Sequence, residues 1–387
     1  MSSIPEARLR TVPWHALEGL LDDLGPALAA TLAGKAADRT LDRFLRDHRL
    51  LTTEGRAACA EALFGVSLWR RRLRALVGAD ATPLQLLGAL VRDLAGHPPP
   101  TATPDPRSVT DWRDLASLPD WLADELTQAF ADDATAVAAP LNTPGPIFLR
   151  ANTVMNTREQ LADKLRALGV DSIPTALARD GLKLTTARPN LLGLGLDGAF
   201  EVQDEGSQRL AELVDARAGS AVLDLCAGAG GKSLALAAHV GATGTVHAAD
   251  VDLARLERLR HRATKAHAHV VIEGATCRPS LKFDRVLVDA PCSELGVLRR
   301  GPDVRWRLNP ADFAPLPALQ RTLLERGLSH LKPAGRLVYA TCTFRRAENE
   351  AVVHDLPPGF TLVEQHTFRT DRDGTDCFYA AIIERKA

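Results

Sequence analysis

Between Trp14 and Leu94 the apolar residues recur at helical spacing, as in Leu17, Leu20, Leu21 and Leu24 and again in Leu84, Leu87, Leu90, Val91 and Leu94. Alanine, leucine and arginine abound there and β-branched residues are few, so the stretch predicts an all-helical bundle. The run His97-Pro98-Pro99-Pro100-Thr101-Ala102-Thr103-Pro104-Asp105-Pro106 cannot continue a helix, because each proline lacks a backbone donor and biases its predecessor to an extended shape. Residues 97–108 therefore read as a linker. Short helical patterns resume over 111–115 and 119–130, which places the end of the helical domain, 1–140, near residue 140. Residues 141–200 change character. Strands are expected over 147–152 and 181–184, with a helix between them that Thr157 caps and Gly169 closes, making a small α+β module.

From 201 to 387 strand and helix patterns alternate. Apolar runs over 221–225, 245–249, 270–272, 286–288, 337–340, 361–363 and 378–383 are interleaved with helical stretches over 232–240, 252–267, 316–331 and about 346–354. Runs apolar on both faces and separated by helices predict a doubly wound, mostly parallel sheet of seven strands. No internal repeat interrupts this plan.

Composition changes the picture only by exclusion. The chain has 387 residues, 45% hydrophobic and 25% charged, with 47 Lys and Arg against 48 Asp and Glu. A formal net charge of -1 provides no global positive field, so a nucleic acid would have to be met by a local patch. Glu6, Arg8, Arg10 and Asp22 interrupt the first apolar stretch, and no later run approaches ~18 apolar residues. A soluble, untargeted, cytoplasmic protein with no membrane partner, acting as a monomer, is the expectation. Cys59, Cys226, Cys277, Cys292, Cys342 and Cys377 lie far apart without a C-x-x-C pair, which argues against a disulfide framework and against zinc. His261, His267 and His269 cluster in sequence without ligand spacing, and no metal site is expected. Arg70-Arg71-Arg72 and Arg74 beside Trp69 read first as a solvated helix face, with an RNA-contacting patch as the open alternative.

The chemistry gathers at strand ends. Cys226-Ala227-Gly228-Ala229-Gly230-Gly231-Lys232 forms a glycine-rich turn between the first strand of the large sheet and a helix, where Gly228, Gly230 and Gly231 let a ligand approach backbone donors. It is not a P-loop, which needs four residues between its first glycine and the Gly-Lys pair. The next strand ends in Asp250, placed to accept hydrogen bonds from ribose hydroxyls, while Asp252 reads as a helix cap. These features suit S-adenosylmethionine as well as a dinucleotide. Two further strand ends carry thiols: Asp289-Ala290-Pro291-Cys292 and Tyr339-Ala340-Thr341-Cys342-Thr343. Taken alone, Cys292 behind a carboxylate looks like the nucleophile, but two thiols on adjacent strands point to one shared pocket.

The block from Asp289 through Ser293-Glu294-Leu295-Gly296 to Arg305-Trp306, with Tyr339 to Phe344 and then Glu348-Asn349, resembles the RsmB/Nop2/Sun family of RNA cytosine-C5 methyltransferases. Asp224 to Lys232 and Glu201 to Gln208 match motifs of the same family, over residues 140–387. The helical N-terminus resembles the NusB-like RNA-binding domain of its bacterial ribosomal RNA members. The resemblance implies a Rossmann-like class I methyltransferase domain, S-adenosylmethionine as cofactor, and an unstacked or loop cytosine in RNA, of the 16S ribosomal type, as substrate. It makes Cys342 the thiolate that adds to C6, Asp289 the partner of the pyrimidine and a cofactor contact, and Cys292 the group that frees the adduct. Arg299, Arg300, Arg305 and Arg307 around Trp306 become the RNA phosphate patch.

Two departures stand out: Glu273-Gly274-Ala275 replaces a Gly-Asp-Gly turn, and Glu294-Leu295 replaces small residues after Cys292. Two other functions stay open at this point. One is a DNA cytosine-C5 methyltransferase using Cys292 as nucleophile; the other is an RNA-binding or ribosome-assembly factor that keeps the fold without the activity.

Overall fold

The protein is described by a computed structural model covering residues 4–187 and 189–386. Its contacts divide the chain into two units, Met1–Pro144 with Leu298–Asp312, and Gly145–Val297 with Phe313–Ala387.

The first unit realises the helical pattern as α1 (Ile4–Leu9), α2 (Leu21–Leu32), α3 (Ala37–Asp47), α4 (Thr53–Val77) and α5 (Pro83–Ala89). Three further helices follow, α6 (Trp112–Leu115), α7 (Asp120–Phe130) and α8 (Ala134–Ala138). The long α4 starts where Thr52 accepts a hydrogen bond from the Gly55 N–H and ends at Gly78, whose φ of +111° favours glycine. Its Ala58, Ala62, Leu63, Val66, Trp69 and Leu73 pack against Leu24, Leu28, Leu86, Leu87 and Leu90. The proline-rich stretch is not a free linker. It is strapped to the helices, with Arg92 Nη2 2.8 Å from the Pro104 carbonyl and the Arg107 N–H donating to the Leu76 carbonyl at 2.8 Å. Prolines cannot satisfy one another, so neighbouring side chains hold their carbonyls.

The second unit holds two sheets. In the smaller one, β1 (Phe148–Ala151), β2 (Ser172–Pro174), β3 (Gly181–Leu184) and β4 (Phe200–Val202) run in the order β2-β3-β1-β4 with every pair antiparallel. The helix α9 (Arg158–Ala167) packs Leu161 and Leu165 against Leu149, Leu182 and Leu184. Thr157 caps it through a capping box with Gln160.

The larger sheet joins β5 (Ala221–Asp224), β6 (Thr245–Ala249), β7 (Val270–Gly274), β8 (Phe283–Asp289), β9 (Leu331–Thr341), β10 (Phe360–Phe368) and β11 (Phe378–Arg385). Their order is β10-β11-β9-β8-β5-β6-β7; β11 is antiparallel to both neighbours and the other pairs are parallel. The accompanying helices are α10 (Glu205–Leu213), α11 (Gly231–Val240), α12 (Leu253–Lys265), α13 (Leu316–Ser329) and α14 (Glu350–Val353). Apolar clusters cover both faces, around Val286, Val288 and Tyr339 on one side and Val222, Leu287 and Val338 on the other. The doubly wound, mostly parallel seven-stranded sheet is as expected. The strand order reverses between β5 and β8, so a crevice opens beyond their C-terminal ends, where ligands bind in such folds. Among the described residues no helix is long and apolar enough to cross a membrane.

Candidate active site

The loop after β5 turns into α11 through Gly230, whose φ is +89° and where a Cβ would lie 2.1 Å from the Leu259 Cδ1 atom. Only glycine fits there. Two of the loop's donors, expected to face a ligand, are used inside the protein: the Gly228 N–H donates to Asp250 Oδ2 at 2.7 Å and the Gly230 N–H to the Ala227 carbonyl at 2.9 Å. Asp250 also accepts from the Asp252 N–H at 2.8 Å, while Asp252 caps α12. Two arginines that sequence reading missed brace the loop from behind. Buried Arg150 donates to Gln203 Oε1 at 2.7 Å and to the Gly231 carbonyl at 3.1 Å, and Arg262 joins Glu201 to the Ala229 carbonyl. Glu201 and Gln203 lie in the motif recognised before β5, which was the available signal for a bracing role.

Asp224 sits beneath this loop, buried, with Ser233 Oγ donating to its Oδ2 at 2.6 Å and its Oδ1 without a hydrogen-bond partner. Burial pushes its pKa up to about 7, opposed by the Ser233 hydrogen bond and reinforced by the charge of Asp289. The folded-state value lies above the unfolded one, so the associated stability is fully present below about pH 4 and is lost as pH rises towards 7. Asp224→Asn, which mimics the protonated acid, is therefore expected to be more stable than the parent at pH 8, by about 4 kcal/mol, and nearly equal to it at pH 4. Thermal unfolding of both proteins across that range checks it, and parallel curves would refute it.

Next to the switch point β8 and β9 pair Asp289 with Ala340, so the chain beyond each carries one cysteine to the same place. Cys292 Sγ and Cys342 Sγ lie 3.4 Å apart. Asp289 Oδ2 accepts from Lys232 Nζ at 2.7 Å. Burial works to lower the Lys232 pKa, but the Asp289 carboxylate outweighs it, and the ammonium stays charged with a raised pKa. Cys342 is held well above the ordinary thiol range, first by its hydrogen bond to Cys292, then by burial and the nearby carboxylates. At rest it is a thiol. Cys226 in the glycine loop is half-buried and its thiol is pushed up by desolvation, which argues against a reactive group.

The turn after Cys292 places Glu294 at φ +57°, the left-handed region that disfavours a side chain. Glu294→Gly is expected to stabilise the protein by about 0.5–1 kcal/mol, the relief of strain less the added freedom of the unfolded chain. Denaturant titration measures it, and an unchanged or lower midpoint contradicts it. At the end of β7, Glu273 is engaged by His247 at 2.7 Å and by Arg278 at 3.2 Å, and Ala275 adds no carboxylate.

The arginine cluster departs most from expectation. The segment Leu298–Asp312 belongs to the first unit, although sequence reading placed it in the methyltransferase domain. Arg305 is fully buried, donating to Asn142 Oδ1 at 2.7 Å and to the Leu141 carbonyl at 2.8 Å. It cannot reach a phosphate and pins the segment instead. Trp306 lies under the guanidinium of Arg70, 4.0 Å from its centroid, and Arg71 pairs with Asp114 at 2.5 Å and Asp120 at 2.6 Å. Arg70 and Arg71 are thus structural, not a solvated face. Arg299 is buried beside a cavity of about 450 Å³ lined also by Phe64 and Trp69, whereas Arg300 and Arg307 are exposed. Among the described residues no group of His, Cys, Asp and Glu is arranged to hold a metal.

Comparison with known proteins bears on the family and the fold. The family described as 16S rRNA methyltransferase RsmB/F matches residues 211–373, and the RsmF/B-like ferredoxin-like domain matches residues 118–190. The ribosomal RNA small subunit methyltransferase B of Serratia proteamaculans is 35% identical over 239 residues, 60% of this chain and 55% of that one. The protein of the same name from Proteus mirabilis is 30% identical over 278 residues, 69% and 66% of the two chains. The chain thus spans 55% to 66% of the length of these relatives. A crystal structure of a methyltransferase homologue protein from Pyrococcus horikoshii shares the fold, with a TM-score of 0.63 at 24% identity, over 71% of this chain and 98% of that one. The chain belongs to the RsmB/Nop2/Sun family, on its bacterial RsmB/F branch.

Proposed function

We propose that this protein is an S-adenosylmethionine-dependent enzyme that methylates cytosine C5 in ribosomal RNA, with Cys342 as nucleophile and Cys292 as the releasing group. The observation that carries the reading is the pair of thiols 3.4 Å apart beside the Asp289–Lys232 ion pair. A DNA-type enzyme with Cys292 as sole nucleophile leaves the second thiol without a purpose.

The crevice fits the cofactor. Asp224, Asp250 and Asp289 place three acids around the glycine loop, and the buried Asp224 Oδ1 lacks a partner, which suits a molecule carrying an ammonium and a sulfonium. In this reading Asp250 accepts from the ribose hydroxyls and residues 226–232 form the wall of the site. When bound, the cofactor supplies an electrophilic methyl group.

The protein's residues supply the rest. Cytosine C5 is too weak a nucleophile unaided; addition of the Cys342 thiolate to C6 makes C5 enamine-like. Asp289 hydrogen-bonds the pyrimidine near N3 and steadies the charge that develops there, with Lys232 holding the carboxylate in place. Cys292 then assists removal of the C5 proton, and the bond between Cys342 Sγ and C6 breaks. The target base must leave any stack, at a few kcal/mol, which favours loops and single strands. Of the arginine cluster, the exposed Arg300 and Arg307 are the phosphate contacts in this reading.

Bisulfite mapping of ribosomal RNA from a strain lacking the protein tests the assignment. Loss of methylation at one or a few ribosomal cytosines is expected; an unchanged ribosomal map overturns the substrate.

A further inference from the structure

The chain after Cys342 makes hydrogen bonds that the chemistry above leaves unused. Glu348 is fully buried. Its Oε2 accepts from the Ser293 N–H at 2.9 Å and from Gln320 Nε2 at 3.0 Å, and its Oε1 accepts from Arg345 Nη1 at 3.2 Å. Gln320 Nε2 also donates to the Pro291 carbonyl at 2.9 Å. The residues on both sides of Cys292 are therefore held by one carboxylate and its amide partner.

The next residue does the same for the other thiol. Asn349 Oδ1 accepts from Thr341 Oγ1 at 2.6 Å, and its Nδ2 donates to the Thr343 carbonyl at 2.9 Å, so both flanks of Cys342 hang on one side chain. The peptide between the two clamps is itself tied down, since Tyr339 OH donates to the Glu348 carbonyl at 2.6 Å. A hydroxyl pair, Ser293 Oγ and Thr343 Oγ1 at 2.9 Å, joins the two turns directly.

We propose that Glu348 and Asn349 are a two-residue positioning clamp, Glu348 aiming Cys292 and Asn349 aiming Cys342, so that one peptide unit sets the geometry between the thiols. The proposal rests on the roles given to the cysteines above. A buried carboxylate is costly unless it is paired and hydrogen-bonded; Glu348 pairs with Arg345 and, through Gln320 and the Ser293 N–H, holds the backbone of a reactive turn, which favours geometry over stability as its purpose. A thiol misplaced by about 1 Å costs on the order of 10²-fold in rate.

Because each residue governs a different thiol, the two halves separate by the step they slow. Glu348→Gln, which loses one acceptor oxygen but keeps the volume, is expected to slow turnover about 10-fold or more while the RNA–protein adduct resisting denaturing electrophoresis increases. Asn349→Ala is expected to lower turnover and adduct together. A merely structural role would move both readouts in parallel for both variants. Gln320→Leu, which removes the amide partner of Glu348 and Pro291, serves where Glu348→Gln fails to fold, with the same expectation as Glu348→Gln. Cys292→Ala is the reference. If it traps the adduct and neither Glu348→Gln nor Gln320→Leu does, the clamp is wrong and the cysteine roles stand. If Cys292→Ala traps nothing, the cysteine roles fail and the clamp with them.

Discussion

Cys342→Ala is expected to lower methyl transfer to RNA by about 10³-fold or more and to abolish the covalent RNA adduct, whereas Cys292→Ala accumulates that adduct. The asymmetry comes from position. Both thiols stand at ends of neighbouring strands, 3.4 Å apart, and in the proposed mechanism Cys342 bonds C6 while Cys292 faces the C5 proton. Without Cys342 no adduct forms, and the base stays a poor nucleophile. Without Cys292 the adduct forms and is not resolved. Methylation rates and denaturing gels of the two variants read both outcomes. The opposite pattern, activity retained in Cys342→Ala and lost only in Cys292→Ala, would transfer the nucleophile to the other strand. Because Cys342 is held as a thiol by Cys292, burial and neighbouring acids, the parent's rate is expected to climb with pH through the alkaline range.

Lys232→Met should lower kcat/KM by about 10²- to 10³-fold, the size of losing one preorganised charge from a site where charge develops. Two effects add. Asp289 loses its 2.7 Å partner and with it a fixed orientation towards the base, and the positive charge that favours a thiolate on Cys342 disappears. The second effect has a sign that the first lacks: it raises the Cys342 pKa further, moving the alkaline limb of the pH profile to higher pH. Measuring kcat/KM from pH 6 to pH 10 for parent and variant distinguishes them. A loss of less than about 5-fold with an unshifted profile would mean that the ammonium is only an anchor for the loop.

Much of this was legible in the chain because the signals were local. Strand runs buried on both faces, the glycine turn, the Thr157 cap and the two cysteines after strand ends are properties of short stretches. Long-range side-chain partners left no such trace. Arg305 looks like any arginine beside a tryptophan until Asn142, 163 residues away, accepts its hydrogen bond. Arg150 and Arg262 hold the glycine loop from elements whose own pattern records only a strand and a helix. At the other end, the helix expected over 346–354 shrinks to Glu350–Val353 because the preceding residues are committed to side-chain bonds around the thiols, which compete with helical backbone geometry. The strand expected over 361–363 extends to Phe368; it alternates exposed and half-buried residues at a sheet edge, so no continuous apolar run marks its length.

The return of Leu298–Asp312 to the helical unit has a bearing on how the protein is made. A nascent chain can collapse its first helices soon after Pro144 emerges, yet the hydrogen-bond partner of Asn142 and the indole under Arg70 are translated about 150 residues later. At roughly 5–20 residues per second that is a delay of order 10–30 s, during which the polar groups meant for Arg305 await completion on the ribosome. The segment up to Pro144 is therefore made before residues 145–297 and its unit is completed only after them.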